Sequence, residues 1–138
     1  MMDDTSYLAQ HFETGVGQYD ANWDKIEAEW YMAAEGMKKR EGAGGFVVQQ
    51  VEENAYLHFP NVYYLNQQKT IHLSAKGEGT IEIRTRGKQG TLLGTVTVSD
   101  NATYQNYSTQ LTRNEGATDV YLVFKGKEIS LDSFRFNL

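Results

Sequence analysis

Glu27 and Glu29 stand two residues apart, so on a strand both carboxylates would point to one face, within a few Å of each other. Two like charges that close are unfavourable unless something neutralises them. A hard cation does so: Ca²⁺ accepts about 6–8 oxygen ligands from carboxylates and backbone carbonyls. Asp132, close to the end of the chain, offers a third carboxylate if the first and last strands meet at a sheet edge. The plainer reading is a solvated acidic edge without an ion, and spacing leaves both open.

Carboxylates also serve as general acid and base, as in glycoside hydrolysis. Glu27, Glu29, Glu52, Glu53, Glu82 and Asp132 are all available, and nothing local singles out a nucleophile or an acid among them. No Gly-x-Ser-x-Gly elbow exists for nucleophilic chemistry. Gly42-Ala43-Gly44-Gly45 lacks the Lys-Ser/Thr ending of a phosphate loop. His11, His58 and His72 are far apart and form no ligand pair, and the absence of cysteine removes thiolate zinc sites and disulfides. The chain is therefore expected not to be an enzyme.

The aromatic residues are a richer signal: nine Tyr, six Phe and two Trp. A Tyr ring offers an apolar face and a hydroxyl, which suits a sugar whose C–H face stacks while its hydroxyls seek partners. Tyr104 sits in the polar stretch Ser99 to Asn106, where a core role is less natural, and Tyr63-Tyr64 lie near a turn. Asn101-Ala-Thr and Asn106-Tyr-Ser match the glycosylation acceptor pattern, which arises often by chance.

A chain of 138 residues is the size of one domain. Its net charge of -5 argues against a fold-wide basic surface for nucleic acid. No apolar run approaches the ~18 residues of a membrane-spanning helix, and Met1-Met2-Asp3-Asp4 does not open a secretory signal. From Phe46 onward the chain reads as short strands separated by turns. Thr70 to Lys76 and Thr80 to Arg86 alternate apolar and polar residues around a turn at Lys76-Gly77-Glu78-Gly79, and Gly126 separates Thr118–Phe124 from Ile129–Phe136. Such a series predicts an all-β fold, an antiparallel sandwich or barrel. Trp23, Ile26, Trp30, Ala33 and Met37 have helical spacing, yet residues 26–31 also alternate, and periodicity alone does not choose. Residues 1–24 read as an extension or linker that wraps onto the domain or joins a neighbour, and residues 25–138 as the sandwich.

Six blocks carry a resemblance. They are Ile26-Glu27-Ala28-Glu29, Val48 to Leu57, Thr80 to Arg84, Gly90 to Val96, Asp119 to Gly126 and Leu131 to Phe136. In order and spacing these resemble a family 6 carbohydrate-binding module over residues 26–138, and the Trp23-Asp24-Lys25-Ile26 lead-in is similar to modules carried by family 43 hydrolases. The resemblance implies a non-catalytic jelly-roll sandwich with a strand at 26–31. It implies a structural Ca²⁺ held by Glu27, Glu29 and Asp132. It also implies a polysaccharide ligand such as xylan or arabinoxylan, an attached glycoside hydrolase domain, and an extracellular setting as part of a larger secreted enzyme.

Two sugar clefts follow from the same resemblance. The loop-end cleft keeps one aromatic at Tyr104, but its other aromatic falls on Gln50 and its asparagine on Ser130, so two of its three expected contacts are altered. A second cleft on the sheet face is matched by Tyr56 and Glu82. The competing reading is a structural module that has lost its sugar site and packs against a catalytic domain.

Overall fold

The computed structural model describes residues 19–21, 23, 25–42, 45–99, 103–112 and 119–137. Most of the 1–24 extension, the Gly44 and Gly116 turns and Asn101 lie outside the described residues. In chain order the strands are β1 (Tyr19–Asp20), β2 (Ile26–Glu27), β3 (Ala33–Glu35), β4 (Met37–Gly42), β5 (Gly45–Gln50), β6 (Ala55–Phe59), β7 (Val62–Tyr63), β8 (Thr70–Thr85), β9 (Thr91–Val98), β10 (Gln105–Gln110) and β11 (Val120–Asn137). Among the described residues there is no α-helix.

The fold is the expected antiparallel β-sandwich, and β8 with β11 forms its spine. These two strands pair with each other along nearly their whole length. The first half of β8 and the second half of β11 are flanked by β10, β5 and β2, with β4 outside β5. The other halves are flanked by β9 and β6, with β3 outside β6. Alternation decides which side chains meet between the two layers. Ile71, Leu73, Ala75, Ile81 and Ile83 of β8 are buried, as are Leu122, Phe124, Leu131, Phe134 and Phe136 of β11. Phe59 and Phe134 meet edge to face with ring centres 4.9 Å apart, joining the layers.

The turn expected at residues 76–79, and the one at Gly126, are not turns. Each lies inside a continuous strand, β8 or β11, where the chain passes from one layer to the other. Gly79 and Gly126 face each other in register there. A Cβ on Gly79 would strike the Lys125 carbonyl, and one on Gly126 would strike the Glu78 carbonyl, so the backbones pack on each other and only glycine fits. Sequence punctuation read these glycines as hairpins, whereas close backbone approach is what requires them.

The strand expected over 26–31 is also corrected. Only Ile26 and Glu27 form a strand; Ala28–Trp30 form a 3₁₀ turn with Ala28 fully buried. The chain here leaves β11 in one layer and joins β6 in the other as β3, a change of direction that a straight strand cannot make. The Tyr19 hydroxyl donates to the Trp30 carbonyl at this corner. Tyr19 and Ala21 are core residues, and β1 pairs in parallel with β7.

Candidate functional site

The outer face of the β6–β11–β8 layer is set by the same alternation that fills the core. Tyr56 and His58 of β6 point away from the interior, between buried Ala55, Leu57 and Phe59. Glu82 and Arg84 of β8 do the same between Ile81, Ile83 and Thr85. Val123 of β11 lies between the two sets, paired with Tyr56 on one side and Glu82 on the other. Val123 forms the floor of a groove of about 300 Å³, which is walled by Asn54, Glu82, Arg84, Lys88, Gln89 and Lys125. Tyr56 is not part of that lining but stands next to two residues that are: it pairs with Val123, and the Lys88 ammonium is 5.3 Å from its ring centre, which lies 5.8 Å from that of Tyr121.

Electrostatics define what this groove offers. Arg84 Nε donates to Glu82 Oε1 at 3.0 Å, and Lys125 Nζ stands 3.3 Å from the same oxygen. Burial alone would push the Glu82 carboxyl up, but the hydrogen bonds and charges of Arg84 and Lys125 hold it below the usual carboxylate range. Glu82 is thus an ionised acceptor and not a proton donor. Arg84 is itself fixed by donating from Nη1 to the Gly90 carbonyl at 2.7 Å. Lys88 reaches over Tyr56 towards Glu35, 3.7 Å away.

Asp119 ties down the end of this layer. Its Oδ1 accepts from the Thr85 hydroxyl at 2.7 Å and from the Arg86 N–H at 3.0 Å, and its Oδ2 lies 3.2 Å from His58 Nε2. Burial raises the carboxyl and these three partners lower it, the partners winning. His58 in turn stacks on Tyr121 at 3.9 Å, so the aromatic surface beside Tyr56 is held from both strands.

The residues expected at the loop-end cleft are placed differently. Gln50 is 2% exposed. Its Nε2 lies 2.9, 3.1 and 3.3 Å from the carbonyls of Glu52, Phe124 and Gly126, and its Oε1 accepts from the Ile129 N–H at 3.4 Å. That amide fastens β5 to β11. Ser130 is 4% exposed and hydrogen-bonds the Tyr104 hydroxyl. Burial, with Asp132 nearby, raises the Tyr104 phenol, while the Ser130 bond lowers it. The Lys76 ammonium stands 5.1 Å from the centre of the Tyr104 ring. Gln50 lines a separate groove of about 480 Å³ with Arg40, Glu52, Glu53 and Glu128; Tyr104 does not border it.

Of the three carboxylates expected to hold a cation, two come together. Between Leu131, paired with Ala75, and Ser133, paired with Ser74, Asp132 is the extra residue of a β-bulge, and Ser133 also pairs with Glu27. Burial raises the Asp132 carboxyl, Glu27 raises it further, and Lys25 opposes them. Lys25 Nζ is 3.0 Å from Glu27 Oε1. Glu29 belongs to the 3₁₀ turn, and the i, i+2 argument does not apply to it. Among the described residues no three His, Cys, Asp or Glu side chains are grouped to hold a metal.

Sequence reasoning missed Arg84, Lys88, Lys125 and Tyr121 as site residues. The alternation of residues 80–86 puts Arg84 on the face of Glu82 and was a usable signal. Lys88 carried none, since its place over Tyr56 depends on how the β8–β9 turn folds.

A family model described as carbohydrate binding module (family 6) matches residues 27–138. An endo-1,4-beta-xylanase A of Thermoclostridium stercorarium is 33% identical over 98 residues, 67% of this chain. The chain spans only 15% of the length of that relative. Among solved structures, a family 6 module from Clostridium cellulolyticum in complex with xylose is 30% identical, with a TM-score of 0.78, over 86% of this chain and 99% of that one. A family 43 arabinoxylan arabinofuranohydrolase from Bacillus subtilis shares the fold at 18% identity and a TM-score of 0.77, over 87% of this chain and 28% of that one.

Proposed function

Because the chain belongs to the family 6 carbohydrate-binding modules, we propose that it binds a glycan on the outer face of the β6–β11–β8 layer and tethers an attached glycoside hydrolase to xylan or arabinoxylan. The observation that carries this reading is the placement of Tyr56 and Glu82 on either side of Val123, with Glu82 and Val123 lining a groove next to the Tyr56 strand. One ring stacks a pyranose face, and one ionised carboxylate accepts from sugar hydroxyls. The loop-end alternative is weaker, because the Gln50 amide is engaged by backbone and Tyr104 is held by Ser130 beneath Lys76.

Xylan is favoured by the xylanase relative and by the xylose-bound module. An attached hydrolase is favoured because similar sequences and folds occur within much longer enzymes. Tethering raises the effective concentration of such a domain at its polymer without new chemistry. A polymer of that size is met outside the cell, which makes an extracellular setting the natural one. The family is non-catalytic, and the ionised state of Glu82 suits it to binding and not to acid catalysis. Glu27 and Asp132 suit a structural Ca²⁺: a like-charged, partly buried pair is relieved by a hard cation, with carbonyls completing the oxygen shell. Glu29, in the 3₁₀ turn that follows Glu27, is the third carboxylate of the proposed set.

Affinity electrophoresis against soluble polysaccharides tests the proposal. One ring and one acceptor suggest a Kd on the order of 10⁻⁴ to 10⁻³ M, about -4 to -5.5 kcal/mol. Tyr56→Ala should abolish retardation by xylan and Tyr104→Ala should leave part of it. Loss of all binding in Tyr104→Ala alone would move the site to the loop end. A second reading has its own support: Trp23, Tyr63 and Tyr64 expose aromatic surface beside β1 and β7, which suits packing against a catalytic domain. Absence of retardation by every polymer would favour it.

A further inference from the structure

We propose that the groove beside Tyr56 takes an acidic glycan, whose carboxylate or sulfate group is held by Arg84, Lys88 and Lys125. This rests on the reading that the sheet face binds sugar, and it adds the chemical class of the ligand. Three cations wall a groove that contains a single carboxylate, Glu82. That carboxylate is only 15% exposed and one cation would neutralise it, yet both Arg84 and Lys125 converge on the same oxygen. The groove is therefore cationic on a chain whose net charge is -5.

The position of Lys88 points the same way. Its ammonium occupies the space over the Tyr56 ring and, among the described residues, its ion-pair partner is an exposed Glu35 at 3.7 Å. A sugar stacking on Tyr56 has to move that ammonium off the ring. A neutral sugar breaks the cation–π contact and returns nothing to the displaced charge, whereas an anionic substituent at the sugar's rim gives the ammonium a new partner. Lys88 and Lys125 are about half exposed, so both long side chains can follow a ligand. Two of the five N–H donors of Arg84 are engaged with Glu82 and Gly90 among the described residues, and a guanidinium fork suits both carboxylate and sulfate.

Calorimetric titration of the protein with a uronic-acid-substituted xylo-oligosaccharide and with its carboxyl-reduced counterpart separates the possibilities. The acidic form is expected to bind about tenfold tighter at low salt, with the gap narrowing as ionic strength rises. Lys88→Ala/Lys125→Ala, whose fold is checked by its unfolding midpoint and which keeps Arg84, should narrow the gap. A sulfated oligosaccharide run in parallel distinguishes the two acid groups by which shows the larger gap over its neutral form. Equal affinity for charged and neutral forms overturns the assignment while leaving sheet-face binding intact, and so does a gap undiminished in the double variant. Binding of none of these ligands overturns both readings.

Discussion

Tyr56 and Glu82 stand on either side of Val123, each paired with it across one ladder, which puts their backbones two strand spacings apart, roughly 10 Å. That span, with a ring on one side and a fixed carboxylate on the other, matches one to two sugar units. Its geometry depends on Glu82 staying charged.

Glu82→Gln tests that dependence through stability. The Glu82 carboxyl is held low in the folded state, so it contributes stability that is present above its unfolded value, about 4.3, and is lost as pH falls through the lower folded value. Equilibrium unfolding should show wild type ahead of Glu82→Gln at pH 6 and the gap closing below about pH 4. A gap that does not vary with pH would mean the ion pairs with Arg84 and Lys125 are not maintained in solution.

Gln50→Leu should cost about 2–3 kcal/mol, read from urea unfolding. The substitution leaves the Ile129 N–H and carbonyls of β11 without their buried amide partner. A cost below about 0.5 kcal/mol, the range of ordinary surface changes, would indicate that Gln50 is a replaceable groove residue.

Gly126→Ala should cost about 3 kcal/mol or more, because the new methyl meets backbone of β8 and not a side chain that can swing aside. Gly87→Ala is the comparison: its φ of +124° strains a side chain there, but a Cβ meets only the Gly90 nitrogen at 4.0 Å, so its cost is the backbone conformation without a clash and should be smaller. Similar losses at both positions would contradict close backbone packing as the reason for Gly126.

Without calcium, Asp132→Asn should unfold no earlier than wild type at pH 7. The folded-state value of Asp132 is raised, so its contribution is most favourable below its unfolded value and declines as pH rises through the folded one. Calcium at about a hundred times its Kd should raise the wild-type midpoint on the order of 10 °C and leave the variant unmoved. A wild-type midpoint indifferent to both calcium and chelator would remove the ion.

Much of this fold is legible in the residues, and the departures have physical causes. Period-two alternation identified both halves of β8, because that strand has one face in the core. It did not identify β4, whose Lys38, Lys39 and Arg40 form an edge strand with little to bury. Glycine as punctuation misled at Gly77, Gly79 and Gly126, since a glycine required by a crossing backbone looks the same in sequence as one required by a turn. At the candidate site, resemblance pointed to Tyr56 and Glu82, and the alternation of residues 80–86 carried a signal for Arg84 that went unread. The burial of Gln50 was not, because its four backbone contacts come from Glu52 and from residues more than 70 positions away.

The most direct measurement of where sugar binds is a titration of the isotopically labelled protein with xylo-oligosaccharide, followed by amide chemical shifts. The shifts should concentrate at Tyr56, Glu82, Val123 and Lys125 and saturate with one affinity. Shifts confined to Tyr104, Ser130 and their neighbours, with the β6–β11–β8 face silent, would contradict the sheet-face site.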